Sequence, residues 1–395
     1  MVRTVVEILD NSLNKIAEVR ALVPLNKSGM VLRYSKELSE YGTCLFRISS
    51  RDPLFTKYGD IVIPHKYHLR IKRGGILVWH GAIIDNPTRN KEFVEVKGAE
   101  YEYYLDHVLI NRTSAVGYGE VAPTVDIGLH YRIFSSGTMA AAVSTLVTEA
   151  VAAIGSSHPL SGMTAGTITN PNYPANFITA TGVSLTGPWV FTSDMVLQFD
   201  YQSVLYALKQ FGIYASCDFR VNDDLTVDFE PFLGNKHPEL SFNYGVHGNI
   251  VDYNAPRMGS KLINDLFGIA TSTDGTVLHT EQTDEVSKGT YGLMQGATAF
   301  TDVKVQNALT ARISEELFLT STLAASPLSL VLNELGYPLG QYDIGDLITT
   351  KIVDGAIKDT VIKRVVGITV NLHNTGREEI NVQTNNPKQK DLVSI

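Results

Sequence analysis

Apolar and polar residues alternate along the first quarter of the chain. TVVEIL, TCLFRI, HLRIK, ILVWHGAII and FVEV each place every second residue on one face, the pattern of half-buried antiparallel strands. The runs predict a β-barrel or sandwich over residues 1–110. Gly74-Gly75 separates two of them and can adopt positive φ, which predicts a tight hairpin, and Asn86-Pro87 with Asn90 predicts the next turn. After Gly98 the stretch AEYEYYLDHVLI changes to helical spacing and is expected to cap an open end of the sheet.

The period changes again in the middle. TMAAAVSTLVTEAVAAI puts Met139, Ala142, Val143, Leu146, Val147, Ala150 and Val151 on one stripe with Thr138 as N-cap, which predicts a helix. Residues 155–194 are rich in Gly, Ser, Thr, Pro and Asn and predict a long loop or irregular arm. FDYQSVLYALKQFG predicts a second helix, with Val204, Leu208 and Phe211 inward, Asp200 or Ser203 as cap, and Gly212 as stop. A hairpin is expected directly after it: Ile213, Ala215, Cys217, Phe219 and Val221 alternate, Asn222-Asp223-Asp224 turns, and Leu225, Val227 and Phe229 return.

The last third returns to strand patterning, with one helix expected at about 302–319 through Val305, Leu309, Ile313 and Leu317. Asn374-Thr375-Gly376 predicts a three-residue hairpin turn. Here the chain also echoes itself. Laid without a gap on GDIVIPHKYHLRIKRGGILVWHGAIIDNPTRNKEFVEV, the segment GDLITTKIVDGAIKDTVIKRVVGITVNLHNTGREEINV matches Gly59 with Gly345, Asp60 with Asp346, Ile71 with Ile357, Lys72 with Lys358, Gly81 with Gly367 and Glu92 with Glu378. Ile84 over Val370, Val94 over Ile380 and Val96 over Val382 extend the match to core positions, although Gly74-Gly75 does not align with Asp354-Gly355. The expected architecture is mainly β with an α+β insert: two similar β-barrel domains, at 1–110 and 235–395, and a helix-hairpin domain at 111–234 carrying the 155–194 arm.

Candidate chemistry alters this picture little. His65 and His68 are close in sequence, but residues three apart on a strand point to opposite faces, which argues against one shared metal ion. HExxH, paired CxxC, GxSxG and GxxxxGK[ST] motifs are all absent. Cys44 and Cys217 fall within alternating runs, where a thiol is expected to be buried and inert. Asp218, Asp228 and Glu230 share the expected outward face of one hairpin. Two carboxylates suffice for glycoside hydrolysis, yet solvated acids beside Arg220 explain the pattern as well. Tyr101, Tyr103 and Tyr104, interleaved with Glu100, Glu102 and Asp106, suit an amphipathic cap better than a nucleic-acid platform. No catalytic, cofactor-binding or metal residue is assigned, and no cofactor is expected.

Length and charge narrow the partners. The chain has 395 residues, enough for two or three domains, and 33 Lys+Arg against 41 Asp+Glu, which gives no electrostatic grip on DNA. Glu7 and Asp10 interrupt any signal-peptide core, and the apolar stretch from Met139 to Ile154 is too short to span a bilayer. No membrane insertion is expected, and the sequons at Asn26 and Asn111 carry little weight.

The order of parts resembles the bacteriophage tail hub (baseplate or tail-tip hub) family. The resemblance is carried by GDIVI through ILVWHGAIID, FDYQSVLYALKQFGIYASCDFRVNDDLTVDFEP, YGLMQ after Gly289, and GDLI through RVVGITVNL with GREEINV. It implies a non-enzymatic homotrimer whose two barrels per subunit give six modules around a DNA channel, joining a hexameric tail tube to a threefold tip. Implied partners are a tail tube or distal tail protein, tip, spike or fibre proteins, the tape-measure protein, and DNA sliding past without specific binding. The implied location is the virion tail tip, after synthesis in the host cytoplasm. With the second barrel running nearly to Ile395, the resemblance implies a hub without an attached peptidase or peptidoglycan-cleaving domain. Three alternatives remain: a polysaccharide hydrolase using Asp228 and Glu230, a receptor- or glycan-binding tail protein using Asn170 to Trp189, and an unrelated β-rich scaffold whose repeat is accidental.

Overall fold

The computed structural model describes residues 3–110, 131–134, 137–154, 159–169, 172–178, 184–188, 190–191, 197–200, 202–215, 217–245, 248–254, 260, 262–272, 274–300, 303, 306–321, 328–332, 339–354 and 357–385. Strands dominate, and fourteen of them belong to one hydrogen-bonded sheet that runs through both ends of the chain.

Pairing in the N-terminal part closes on itself. Thr4–Leu9 pairs with His68–Arg73, which pairs with Ile76–Asp85, then Phe93–Ala99, then Thr43–Ser49. Thr43–Ser49 holds Leu22–Val23, the continuation of Lys15–Val19, and Lys15–Val19 returns to Thr4–Leu9. The predicted Gly74-Gly75 turn is present with both φ positive, at 57° and 88°. Trp79 fills the interior, its Nε1 donating to the Ser35 carbonyl oxygen at 3.0 Å.

The C-terminal strands make a second circuit. Lys236–Asn243 pairs with Leu347–Asp354, followed around by Ile357–His373, Glu378–Asn385, Leu328–Leu332 and Ile250–Asn254. A bridge between Ile250 and Tyr244 completes it. If strands are counted in chain order, taking 15–23 as one bent strand, both circuits run one, four, five, six, three, two. They differ in the first strand, which is antiparallel to the fourth in the N-terminal circuit and parallel to it in the C-terminal one.

Met30–Glu37 joins the circuits, pairing with Thr43–Ser49 and, from Met30 to Glu37, with His373 back to Gly367. A single apolar core spans both, from Val6, Phe46 and Trp79 to Leu330, Ile368 and Val382. The sheet bends far enough for Arg73 Nε to reach Glu378 Oε2 at 2.7 Å, both side chains nearly sealed from solvent, and Glu378 also accepts from Thr4 Oγ1 at 3.0 Å.

The middle segment packs around a separate core. Met139–Ile154 is a helix with Thr138 Oγ1 accepting from the Ala141 amide, and its buried stripe is the predicted one except that Val151 is only partly covered. The second helix, Val204–Ala215, is capped by Ser203 and passes through Gly212 instead of stopping there. Residues 213–215 therefore belong to that helix, and the hairpin strand is shortened to Asp218–Val221. Gly212 meets a different demand: an added Cβ would lie 2.8 Å from the Cys217 carbonyl oxygen. Phe134, Phe199 and Phe211 pack edge to face at this core's centre.

The 155–194 segment differs from the expected loop. Thr164–Ile168 lies parallel to Thr226–Glu230, Asn172–Ile178 pairs with Ser184–Pro188, and Val190–Phe191 pairs with Gly137–Thr138. Backbone ladders hold these strands. Thr164–Ile168 is exposed over most of its length, so no apolar alternation marks it in the sequence. The rest of 155–194, like Asn111, Val305 and the terminal PKQKDLVSI, lies outside the described residues apart from the short helix Pro159–Gly162 and its flanks.

Another departure is the segment 262–321, a unit of its own. Asp265–Thr271 lies between Val277–Thr283 and Gln295–Phe300, and the helix Gln306–Thr320 covers one face through Leu309, Ile313 and Leu317.

The matched glycines allow a test of the echo. Gly59 and Gly345 both have positive φ, but a Cβ at Gly59 meets nothing within 4 Å, while one at Gly345 would lie 1.9 Å from the Leu233 carbonyl oxygen. Gly59→Ala should cost ~1–3 kcal/mol from its backbone conformation alone. Gly345→Ala should cost more, because the 233–234 backbone must also move. Denaturant midpoints of the two variants measure the difference, and equal losses would contradict this account.

Candidate functional site

The hairpin Asp218–Val221 with Thr226–Glu230 was the sequence's strongest catalytic candidate, through Asp218, Asp228 and Glu230. The structure places Asp218 and Asp228 inside the protein, not on a solvated face. Asp218 Oδ2 accepts from an Arg364 terminal nitrogen at 2.6 Å, with 4% and 3% of the two side chains exposed. Asp228 accepts from the Thr167 amide at 2.8 Å, from Asn222 Nδ2 at 2.7 Å and from Arg220 at 3.4 Å. Thr167 can come this close because residue 166 is glycine, whose Cβ would lie 2.6 Å from Asp228 Oδ1. Glu230 is half-buried, and burial followed by the nearby Asp228 raises its pKa. These carboxylates serve as acceptors for neighbouring segments. The hairpin's outer face is covered by other chain, which alternation alone does not reveal.

Arg364 is the residue that sequence reading missed. Its Nε donates to the Gly345 carbonyl oxygen at 3.1 Å and one terminal nitrogen to the Leu233 carbonyl oxygen at 3.1 Å, while the guanidinium lies 4.7 Å from the Phe232 ring centroid. One side chain thus ties the hairpin, the link into the second circuit and the Gly345 loop. Asp346, the residue after that loop glycine, is buried and accepts from the Asn235 amide at 2.6 Å and the Asp343 amide at 2.7 Å. Burial raises its pKa. A charged pair in the apolar run VIKRVVG was the available signal.

The same hairpin docks on the first circuit through Glu102, beside Glu100. Both are buried, contrary to the solvated cap expected of them; Glu100 accepts from the Gly42 amide and Glu102 from the Val221 amide, each at 2.7 Å. Burial, reinforced by the neighbouring Glu102, lifts Glu100 well above the usual carboxylate range. Burial pushes Glu102 up to about 7. His80, whose Nε2 lies 3.3 Å from the Val221 carbonyl oxygen, is pushed down to about 4 by burial. Lys209 and Glu40 form an ion pair at the edge, and Ser39 Oγ accepts from the Phe219 amide at 3.2 Å.

The remaining candidates scatter. His65 precedes its strand with φ 58° and sits 3.4 Å from Tyr104 Oη, whereas His68 is buried against the Tyr101 ring. The two diverge because of that left-handed residue, not strand alternation alone. Among the described residues no group of three or more His, Cys, Asp or Glu could hold a metal ion. Cys44 and Cys217 are buried free thiols; desolvation raises the Cys44 pKa, and Cys217 Sγ lies 3.4 Å from the Ala215 carbonyl oxygen. Tyr101 and Tyr104 are buried and Tyr103 is partly covered, stacking edge-on with Tyr41. Asn26 turns its side chain inward on its own loop, accepting from the Ser28 and Met30 amides. Of the proposed glycan surface only two paired strands are described. Among the described residues no helix is long and apolar enough to cross a membrane.

No protein-family model matches the sequence, and no curated protein matches it. Solved structures do. The tail protein from Neisseria meningitidis MC58 superimposes with a TM-score of 0.62 at 11% identity, covering 98% of this chain and 98% of that one. The 43 kDa tail protein of prophage MuSo2 from Shewanella oneidensis gives 0.62 at 11%, covering 98% and 99%. Prophage tail protein gp18 from Listeria monocytogenes EGD-e gives 0.55 at 11%, covering 99% and 97%. The chain has the fold of these phage tail proteins, mainly β with large antiparallel sheets, over nearly its whole length.

Two measurements check the junction. Arg364→Met should destabilise by ~3–5 kcal/mol by leaving Asp218 buried without its cation, and adding Asp218→Leu should recover much of that loss; additive losses would contradict the pairing. The second is a pH series. Glu100 and Glu102 bind protons more tightly folded than unfolded, so their contribution to stability is fully present below about pH 4.5 and is lost as pH rises through their folded values. His80 acts oppositely, losing its contribution as pH falls from 6.5 towards 4, so it adds nothing to the slope above 6.5. Glu102→Gln should exceed the wild type by on the order of 3 kcal/mol at about pH 8 and converge with it in acid. A pH-independent difference would overturn this reading.

Proposed function

We propose that three copies of this chain form the hub of a phage tail tip or baseplate, a ring of six similar modules that joins a sixfold tail tube to a threefold tip. The observation that carries this reading is the repeated circuit: both ends of the chain close six strands in one spatial order and are spliced by Met30–Glu37. Two like modules per copy, taken three times around an axis, present six like faces to a tube while keeping threefold symmetry below. The fold shared with tail proteins over at least 97% of both chains supports a structural role in the virion.

On this reading the chain divides into a first module at 1–110, a middle unit at 111–234 and a second module at 235–395. Tail-tube and tip proteins bind opposite faces of the ring, and the tape-measure protein ends near it. DNA passes through the lumen without specific binding, which the net charge of −8 favours. The role is non-enzymatic. The buried, occupied state of Asp218 and Asp228 weighs against a hydrolase built on that hairpin.

Sedimentation and negative-stain imaging of the purified chain test this directly. The expected result is a species of three times the 43.3 kDa chain, seen end-on as a pored ring of six lobes. A compact dimer, or a ring of another order, would overturn the proposal.

A further inference from the structure

The 262–321 unit occupies the same place in its circuit as Met30–Glu37 does in the other: each is the excursion between the second and third strands. In the N-terminal circuit that excursion is what makes the join, because Met30–Glu37 leaves its own barrel to pair with Gly367–His373 of the C-terminal one. Among the described residues the C-terminal circuit's excursion makes no such strand pairing with the other circuit. Among the described residues its core of Leu266, Ala270, Val303, Leu309, Ile313 and Leu317 draws on the unit alone. The side-chain hydrogen bonds of Asn264, Asp265, Thr298 and Gln306 also stay inside it.

The unit presents exposed apolar side chains among polar ones. The helix covers one face of its three strands; the other shows Ile269, flanked by His279 and Ala299, and Phe267, flanked by Glu281 and Ala297. Ile269 is 47% exposed and Val277 62%. Between the second and third strands the helix Glu285–Tyr291 ends at Gly292 with φ 80° and leaves Val286, Tyr291, Leu293 and Met294 in solvent. Among the described residues, six of the fifteen exposed large hydrophobic residues lie between Ile269 and Met294, a higher density than the rest of the described surface shows.

We propose that this face docks on the N-terminal circuit of a second copy of the chain, as the between-copy counterpart of the contact that Met30–Glu37 makes within a copy. The inference rests on the ring reading and specifies which surfaces close it. A cyclic ring requires two different surfaces on each copy, one giving and one receiving. Charge selects the receiving one. Residues 262–321 carry 3 Lys and Arg against 8 Asp and Glu, a net of −5, whereas residues 3–110 carry 16 against 13, a net of +3. Lys27, Arg33, Arg51, Lys91 and Lys97 are exposed there, whereas Arg3, Arg20 and Arg89 are already paired with Glu18 and Asp60. Contact between two 262–321 units would set like charge against like and is disfavoured.

A photo-cross-linking residue placed at Leu293 of the full chain tests the contact, with light and heavy isotope-labelled copies mixed so that adducts between copies can be identified by mass. The expected adducts join Leu293 of one copy to peptides within 3–110 of another. In parallel, the double variant Leu293→Asp, Met294→Asp should raise the concentration at which trimers half-dissociate by about tenfold or more. Its unfolding midpoint should stay at the wild-type value, because both side chains are exposed. A trimer whose adducts map only to 262–321 or to the C-terminal circuit overturns this inference and leaves the ring reading standing. A chain that stays monomeric at every concentration, with no adducts between copies, removes the ring reading and this contact with it.

Discussion

The structure depends on one buried guanidinium. Arg364 sits in the strand Ile357–His373, where its neighbours face the core, and it meets Asp218, the Leu233 carbonyl and the Gly345 carbonyl at once. Bringing a cation out of water costs several kcal/mol, so such a residue is retained only when every donor is used well. Three acceptors from three separate segments take its Nε and one terminal nitrogen, and they specify how the middle unit sits on the second circuit. Lysine could not substitute, since a point charge lacks the planar fork that aims donors in divergent directions. The backbone is shaped to suit: Gly234 and Gly345 pass so closely that a Cβ on either would strike the other's segment, at 2.4 Å or 1.9 Å.

A second buried pair acts similarly at the opposite joint. Arg73 and Glu378 lie in strands distant in the sheet's order yet in contact because the sheet bends round, and Thr4 shares the carboxylate. Lys36 with Asp343 fastens the outer side of the splice. Backbone pairing along Met30–Glu37 would tolerate slippage by two residues with every side chain still on its proper face. Fixed charge pairs on either side remove that freedom. Specificity, more than stability, is what these groups contribute.

Local features were legible in the sequence, and tertiary covering was not. The Gly74-Gly75 turn, the Gly376 turn and the buried stripe of Met139–Ile154 follow from φ preferences and a period of 3.6, which need no knowledge of distant chain. Alternation located the hairpin but could not say that Thr164–Ile168 and Arg364 would cover its polar face, so Asp218 and Asp228 read as solvated. The run from Ile213 to Cys217 satisfies both periods over so few residues that the helix, favoured by packing against Gly212, extends into it. Pairing by backbone alone hid the strands within 155–194, and Ser/Thr/Gly-rich composition pointed to a loop. The 262–321 unit escaped notice because its strands alternate weakly, small residues such as Ala297 and Ala299 standing where larger ones would mark a face.

The echo between the two ends is faint for a structural reason. Strands four to six keep the same order and directions in both circuits, and the matched residues fall within or just before them, though Ile71 and Lys72 of strand four match Ile357 and Lys358 of strand five; the first strand reverses, and the second and third are separated by unlike excursions. Even the matched strands are not in one register. Residues 86–92 make the turn in the first circuit and 374–377 in the second, so Ala82 faces Ala99 while Ile368 faces Val382, not Asn385. Identities persist with changed duties. Gly81 clears the Ala99 carbonyl, which a Cβ would approach to 2.1 Å, whereas Gly367 meets only the Gln383 side chain at 3.3 Å. Glu92 is exposed, and Glu378 is buried against Arg73. Two circuits with one strand order need only keep that order to close. Interior residues are therefore free to drift, as long as each circuit still closes.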